Sequence, residues 1–228
     1  MIDLRLGDCL EIMRDMPDAS VDAVITDPPY ILNNASGHKG CLEKSNKVHK
    51  IRHLENGFDI AASVDEWERL CKPLHSFVFC SNAQISNLML EGERREYITN
   101  LLVWHKFNAI PAINGTWRPD AEFIVHYRQP RATFQGDVEL KSKVAAIPIN
   151  ASKHGHPTEK PLALIEKYIR VCTNEGDTIL DPFMGSGTTG VACARLNRNF
   201  IGIEINPSYF EIAQRRIAEA QAQMTLAI

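Results

Sequence analysis

TILDPFMGSGTTGVACARLNRNFIGIEINPSYF, from Thr178 to Phe210, reads as a strand, a glycine turn, a helix and a second strand. Gly185, Gly187 and Gly190 follow the first strand and open the helix, and glycines in that place let the chain turn tightly and approach a ligand closely. Glu204 closes the second strand, where an acid accepts hydrogen bonds from ribose hydroxyls. The run is therefore a βαβ nucleotide site. A Walker phosphate loop is excluded, because no Gly-Lys-Ser/Thr follows the glycines. G-x-G-x-x-G by itself also fits a nicotinamide-dependent oxidoreductase, so the decision lies outside this run.

Strand-like and helix-like segments alternate through the rest of the chain. Short β-branched or aromatic-rich runs occur at Leu4 to Asp8, Val21 to Thr26, Ser76 to Ser81, Ile98 to Lys106, Ala121 to Arg128, Asp177 to Asp181 and Asn199 to Ile205. Apolar residues three and four apart mark helices through Val64, Trp67 and Cys71, and through Leu162, Ile165, Ile169 and Cys172. A last helix has Asn206 as N-cap and Pro207 at its first position. Such alternation predicts an α/β three-layer sandwich. With 228 residues, 44% of them hydrophobic, one domain with a full core is expected. Leu32 to Asp59, Asn108 to Pro119 and Gln129 to Pro157 break the alternation and are read as irregular, a functional signature when loops are long. Trp104, Phe107 and Trp117 are assigned to the core or to loop anchoring.

The six cysteines are scattered without a C-x-x-C pair, so disulfides are not indicated. No apolar stretch approaches the roughly 20 residues of a membrane span, and Met1 to Arg14 lacks the order of a signal peptide. A cytoplasmic protein without membrane partners is expected. A net charge of −3 argues against wholesale coating of nucleic acid but permits a local basic surface.

VDAVITDPPY, from Val21 to Tyr30, supplies the second signal. Neither Pro28 nor Pro29 can sit inside a ladder, because proline has no backbone donor and fixes its own φ. The strand stops there, and a stiff tetrapeptide holds one carboxylate, backbone carbonyls and an aromatic ring in fixed relation. A dinucleotide oxidoreductase has no use for that element.

DPPY (Asp27 to Tyr30), HPTEKP (His156 to Pro161) and DPFMGSGTT (Asp181 to Thr189), in that order, resemble the β class of amino-group DNA methyltransferases. The resemblance covers Ile2 to Tyr30 and Gly155 to about Ala218. It implies a Rossmann-like sandwich with a seven-stranded mixed sheet, circularly permuted so that TILDPF is the family's first strand, and S-adenosylmethionine as cofactor. Cofactor residues carried over are Asp181, Phe183, Gly185, Ser186, Gly187 and Thr188 on the loop and Glu204 at the ribose. Asp8 and Cys9 belong beside the adenine ring, with Thr158 and Lys160 near the methionine carboxylate. A helix N-terminus and a cation both favour that anion.

The catalytic set implied is Asp27, Pro28, Pro29 and Tyr30. An exocyclic amino group is a poor nucleophile because its lone pair is delocalised into the ring. If Asp27 and the Pro28 carbonyl accept its protons, the lone pair can be aimed at a methyl group. The target base must leave the duplex, and Tyr30 offers it a stacking platform. Asp rather than Ser at position 27 resembles the adenine-N6 members more than the cytosine-N4 ones. RNA or protein methylation is the rival from another substrate class, and a DNA-binding protein without catalysis would carry a damaged motif, which is not found. Double-stranded DNA is the implied partner, held by Lys39, Lys44, Lys47, Lys50 and Arg52. The loops at about 32–59 and 108–157 are the expected DNA-recognition insertions. Restriction-modification or a solitary phage-type enzyme, and a homodimer, are compatible with the resemblance. His38, Cys41, His49 and His53 have a spacing that could hold zinc, but the resembled family needs no metal and none is expected.

Overall fold

Strand runs without polar alternation become the centre of the sheet. The computed structural model describes residues 1–30, 58–112, 117–149 and 159–226. In chain order its elements are β1 (Ile2–Leu6), α1 (Cys9–Arg14), β2 (Ala23–Thr26), α2 (Ile60–Leu70), β3 (His75–Cys80), α3 (Asn82–Arg94) and β4 (Ile98–His105). They continue with β5 (Ala121–Arg128), β6 (Val144–Ala146), α4 (Leu162–Cys172), β7 (Thr178–Asp181), α5 (Thr188–Arg195), β8 (Asn199–Glu204) and α6 (Pro207–Leu226). One sheet has the order β1-β8-β7-β2-β3-β5-β4-β6. Strand β5 pairs antiparallel with both β3 and β4, and every other pairing is parallel. All residues of β2 and β3 are buried, as expected of strands covered on both faces.

Successive residues of a strand face opposite layers, and the two cores follow from that. Ala23 and Ile25 of β2 pack with Leu164, Ile165 and Ile169 of α4, Ala192 of α5 and Ile217 of α6. Val24 packs on the other face with Met13 of α1, Val64 and Trp67 of α2 and Leu88 of α3. This is the three-layer sandwich read from the sequence. Asn206 caps α6, accepting from the Ser208 N–H at 2.9 Å, and Pro207 opens it. Among the described residues, no helix is long and apolar enough to cross a membrane.

The strand count and the placing of two aromatic residues are corrected, while Trp104 stands as expected. The sheet has eight strands, not seven. The extra one, β6, lies inside a stretch read as irregular, and its three residues pair with β4 at the sheet's edge, too short a run to express alternation. Trp104 is core, with its indole N–H on the Ile147 carbonyl at 2.7 Å. Trp117 and Phe107 are not buried anchors: they stand 97% and 53% exposed, with Ile110 at 71%.

Candidate active site

Strands β2 and β7 lie side by side and parallel, with Val24 opposite Leu180. The motifs that follow them, 155 residues apart at Thr26 and Asp181, therefore emerge at one edge of the sheet. The Thr26 hydroxyl donates to Asp181 Oδ1 at 2.9 Å, and the Thr189 hydroxyl to Asp181 Oδ2 at 2.7 Å. The Phe183 N–H also donates to Oδ1, at 3.2 Å. Asp181 thus ties β2, the glycine turn and α5 together, and burial pushes its carboxyl up to about 7 against the pull of these three bonds.

The turn has the backbone that its glycines allow. Gly185 and Gly187 have φ of 52° and 84°, the left-handed region where a Cβ is penalised. Glu204 Oε2 accepts the Gly185 N–H at 2.9 Å and Oε1 the Asn206 N–H at 2.7 Å. Burial raises the Glu204 carboxyl from its usual value, and these backbone donors partly offset that. The Gly7 N–H donates to the Glu204 carbonyl at 3.0 Å, bringing Asp8 and Cys9 to the same edge. Asp8 caps α1 through the Leu10 and Glu11 N–H groups. Burial first, and then Asp8, push the Cys9 thiol up to about 12, so it is no nucleophile near neutrality. Phe183 is half-buried and meets Phe58 edge-on at 5.8 Å. Thr188 begins α5 as a buried residue.

On the DPPY side, Lys160 is 7% exposed. Its ammonium donates to Asp27 Oδ2 at 2.6 Å and to the Tyr30 hydroxyl at 3.1 Å. It lies 3.3 Å from Glu122 Oε2, whose other oxygen accepts from Lys106 at 2.5 Å. Burial opposes the charge on Lys160, but Asp27 and Glu122 outweigh it and raise its pKa. Burial likewise opposes the Glu122 charge, and Lys160 and Lys106 hold that carboxyl below its usual value. Burial, with Asp27 and Glu122 near, drives the Tyr30 phenol well above its ordinary pKa, leaving a neutral ring. Among the described residues, Asp27 Oδ1 is buried and has no hydrogen-bond partner, as is also true of Glu122 Oε2. The Pro29 carbonyl accepts from Gln84 at 3.0 Å, and Pro28 is buried.

Two adjacent residues of HPTEKP thus serve different motifs. Lys160 holds the DPPY acid, whereas Glu159 pairs with Arg216 of α6. That guanidinium also donates to the Ser186 carbonyl at 2.6 Å and hydroxyl at 2.8 Å. Lys160, expected near a cofactor carboxylate, gives hydrogen bonds to Asp27 and Tyr30 and forms an ion pair with Glu122. Thr158, Lys39, Lys44, Lys47, Lys50 and Arg52, and the four zinc-spaced residues, lie outside the described residues. Sequence reasoning missed Glu122, Lys106, Gln84 and Arg216. Only Glu122 left a signal, as an acid in the apolar strand AEFIVHYR.

Comparison with known proteins follows this geometry. The family model described as DNA methylase matches residues 21–215. The type II methyltransferase M2.MboI of Moraxella bovis is 30% identical, over 93% of this chain and 86% of that protein. M.HpaI of Haemophilus parainfluenzae, also a type II methyltransferase, is 29% identical over 95% and 74%. The crystal structure of an M1.HpyAVI-SAM complex aligns with a TM-score of 0.72 and 34% identity, covering 95% of this chain and 100% of that one.

Proposed function

The chain belongs to the DNA methylase family, and on that premise we propose that it methylates the exocyclic N6 amino group of an adenine flipped out of double-stranded DNA, with S-adenosylmethionine as methyl donor. The observation that carries the reading is Asp27 Oδ1: a buried carboxylate oxygen without a partner among the described residues, at the strand end beside the glycine turn. A buried acceptor left unpaired costs about 1–3 kcal/mol, so it is to be matched by a donor from outside the chain.

The residues at the neighbouring turn fit the cofactor. Each Glu204 oxygen accepts one backbone N–H and keeps a lone pair for a ribose hydroxyl. Asp8, Cys9 and Phe183 border the same edge, Gly185 and Gly187 shape the loop, Ser186 and Asp181 hold it from behind, and Thr188 is buried at the start of α5. Bound there, the cofactor supplies a sulfonium-activated methyl group. Everything else falls to the chain. Asp27 Oδ1 and the Pro28 carbonyl accept hydrogen bonds from the two amino N–H groups and so turn the nitrogen lone pair out of the ring, Pro29 keeps that backbone stiff, and Tyr30 stacks on the extruded base. Preorganised dipoles of this kind cost no reorganisation during the reaction.

Adenine is favoured over cytosine by the acid at position 27. DNA is held by the cations between Lys39 and Arg52 and by the loop after β4, whose exposed Phe107, Ile110 and Trp117 offer apolar faces to unstacked bases. Nucleoside analysis of DNA from a host expressing the chain tests this. N6-methyldeoxyadenosine is expected, and it should vanish with Asp27→Ala. N4-methyldeoxycytidine in its place would overturn the base assignment, and methyl transfer by Asp27→Ala within a few fold of wild type would overturn the role of Asp27.

A further inference from the structure

Among the described residues, charges of alternating sign run from the DPPY tetrapeptide to the end of β4: Asp27, Lys160, Glu122 and Lys106, in contacts of 2.6, 3.3 and 2.5 Å. Burying an ion pair repays its desolvation only with close geometry and further hydrogen bonds. A chain of two acids and two cations, neutral in sum, supplies the close geometry, and among the described residues Asp27 Oδ1 and Glu122 Oε2 are left without a hydrogen bond. It also leaves an asymmetry at the acid. One oxygen of Asp27 is occupied by an ammonium, while the other is buried and, among the described residues, bare.

We infer that Lys160 is the positioning residue of the active site, that it engages Asp27 Oδ2 and so presents Oδ1 to the target amino group, and that Glu122 keeps its ammonium in place. Of the three protons of an ammonium, Lys160 gives hydrogen bonds to Asp27 and the Tyr30 hydroxyl, and Glu122 Oε2 lies 3.3 Å away as an ion-pair partner without a hydrogen bond. A cofactor carboxylate at this ammonium would meet the negative charges of Asp27 and Glu122. The same cation lies 5.3 Å from the Tyr30 ring centroid and 5.2 Å from that of Phe79. Lys160 thereby fixes the acid and the stacking ring of DPPY in one frame, and Phe79 of β3 backs it. Glu122 reaches this point from the start of β5, the antiparallel strand beside β3, and Lys106 anchors it from beside Trp104, with the ammonium 4.8 Å from that ring.

The inference rests on Asp27 accepting the target amino protons, and the experiment separates the two ideas. Lys160→Met, Lys160→Arg and Glu122→Gln are compared with wild type for S-adenosylmethionine affinity by calorimetry, for DNA affinity, and for the single-turnover rate of tritiated methyl transfer at saturating cofactor and DNA. A displacement near 1 Å of a catalytic group can cost on the order of 10²-fold. Lys160→Met should therefore lower the single-turnover rate by about 100-fold, with both affinities within about threefold of wild type. Glu122→Gln should lower the same rate by a smaller factor, and Lys160→Arg should restore part of it. Each rate is referred to the folded fraction found by cofactor titration. Should Lys160→Met fail to fold, Glu122→Gln, which keeps the ammonium, carries the test. A cofactor affinity at least tenfold weaker, with the saturated rate recovered, would overturn the inference and return Lys160 to the cofactor carboxylate. Rates unchanged in all three folded variants would overturn it as well. Were wild-type chain to transfer no methyl group to DNA, the proposed function itself would fail, a result distinct from both.

Discussion

Asp181 gives the sharpest thermodynamic test of the site. Its carboxylate is 3% exposed, and burial pushes it up to about 7 from an ordinary 3.8. At about 1.4 kcal/mol per factor of ten in proton affinity, the difference amounts to about 4 kcal/mol. The folded value lies above the unfolded one, so between about pH 4 and pH 7 the folded chain keeps a proton that the unfolded chain has released. Stability contributed by this group therefore falls as pH rises through that window, and the cost is complete above about pH 7. Asp181→Asn removes the titration without removing the bonds. The amide oxygen can accept from Thr26 and Phe183 as Oδ1 does now, and the amide nitrogen can donate to the Thr189 hydroxyl. At pH 8 the variant should be more stable than wild type by up to about 4 kcal/mol, which for a chain of this size corresponds to roughly 8–16 °C in Tm. At pH 4 the two should be level. Urea unfolding of both proteins at several pH values reads the difference directly, and titrations common to both cancel in it. A stability gap independent of pH would show that Asp181 does not carry this proton, and the reasoning would fail.

Three further outcomes are expected. His75 and His126 share a 2.9 Å contact between their Nε2 atoms, and burial, reinforced by the other ring or by Arg128, lowers them to about 3 and about 4. With folded values below the unfolded one, they withdraw stability as pH falls below about 6.5, and neither ring should titrate above pH 5 by NMR; a midpoint near 6.5 would contradict this. Gly190→Ala would bring a Cβ within 2.3 Å of Ile217 Cδ1 and 2.8 Å of Phe200 Cε1, an overpacking worth about 1–3 kcal/mol. Ile217→Val in the same chain, by removing the nearer atom, should recover part of that loss in urea unfolding. Glu204→Ala should weaken S-adenosylmethionine by about 1–3 kcal/mol, read by calorimetry, because it deprives the ribose of an acceptor and the Gly185 N–H of its anchor. Tight NADH binding by wild type, with no response to S-adenosylhomocysteine, would point to an oxidoreductase instead.

What the sequence made legible is what local spacing encodes. Seven strands and the helix at Pro207 follow from short-range apolar pattern and cap chemistry, which need no knowledge of the fold. Strand β6 escaped because three residues at an edge carry no period, and it exists only by pairing with Val103, Trp104 and His105. Trp117 was misjudged for the opposite reason: hydrophobicity alone cannot say whether a large ring on a loop packs inward or waits for a ligand. The motif residues were legible as types. The partners of Lys160 were not, because Asp27 and Glu122 lie 133 and 38 positions away and nothing in the spacing couples them.

The order of the motifs along the chain matters less than the neighbourhood of their strands. Strands β2 and β7 are adjacent and parallel, so an acid after one and a glycine turn after the other meet at the same edge whichever is translated first. Crevices outside the carboxyl ends of such strands are where open α/β sheets bind ligands. Adjacency alone would leave two turns free to shift independently. Here the Thr26–Asp181 bond locks them at their base, and Glu159 and Lys160, consecutive in sequence, grip the glycine loop through Arg216 and the DPPY acid directly. Because those two residues share a peptide bond, the glycine loop and the DPPY acid are held in one frame. The separation of the glycine loop and the DPPY acid is thus set by the protein's own charges, and on the proposed function that separation governs the approach of methyl donor to acceptor.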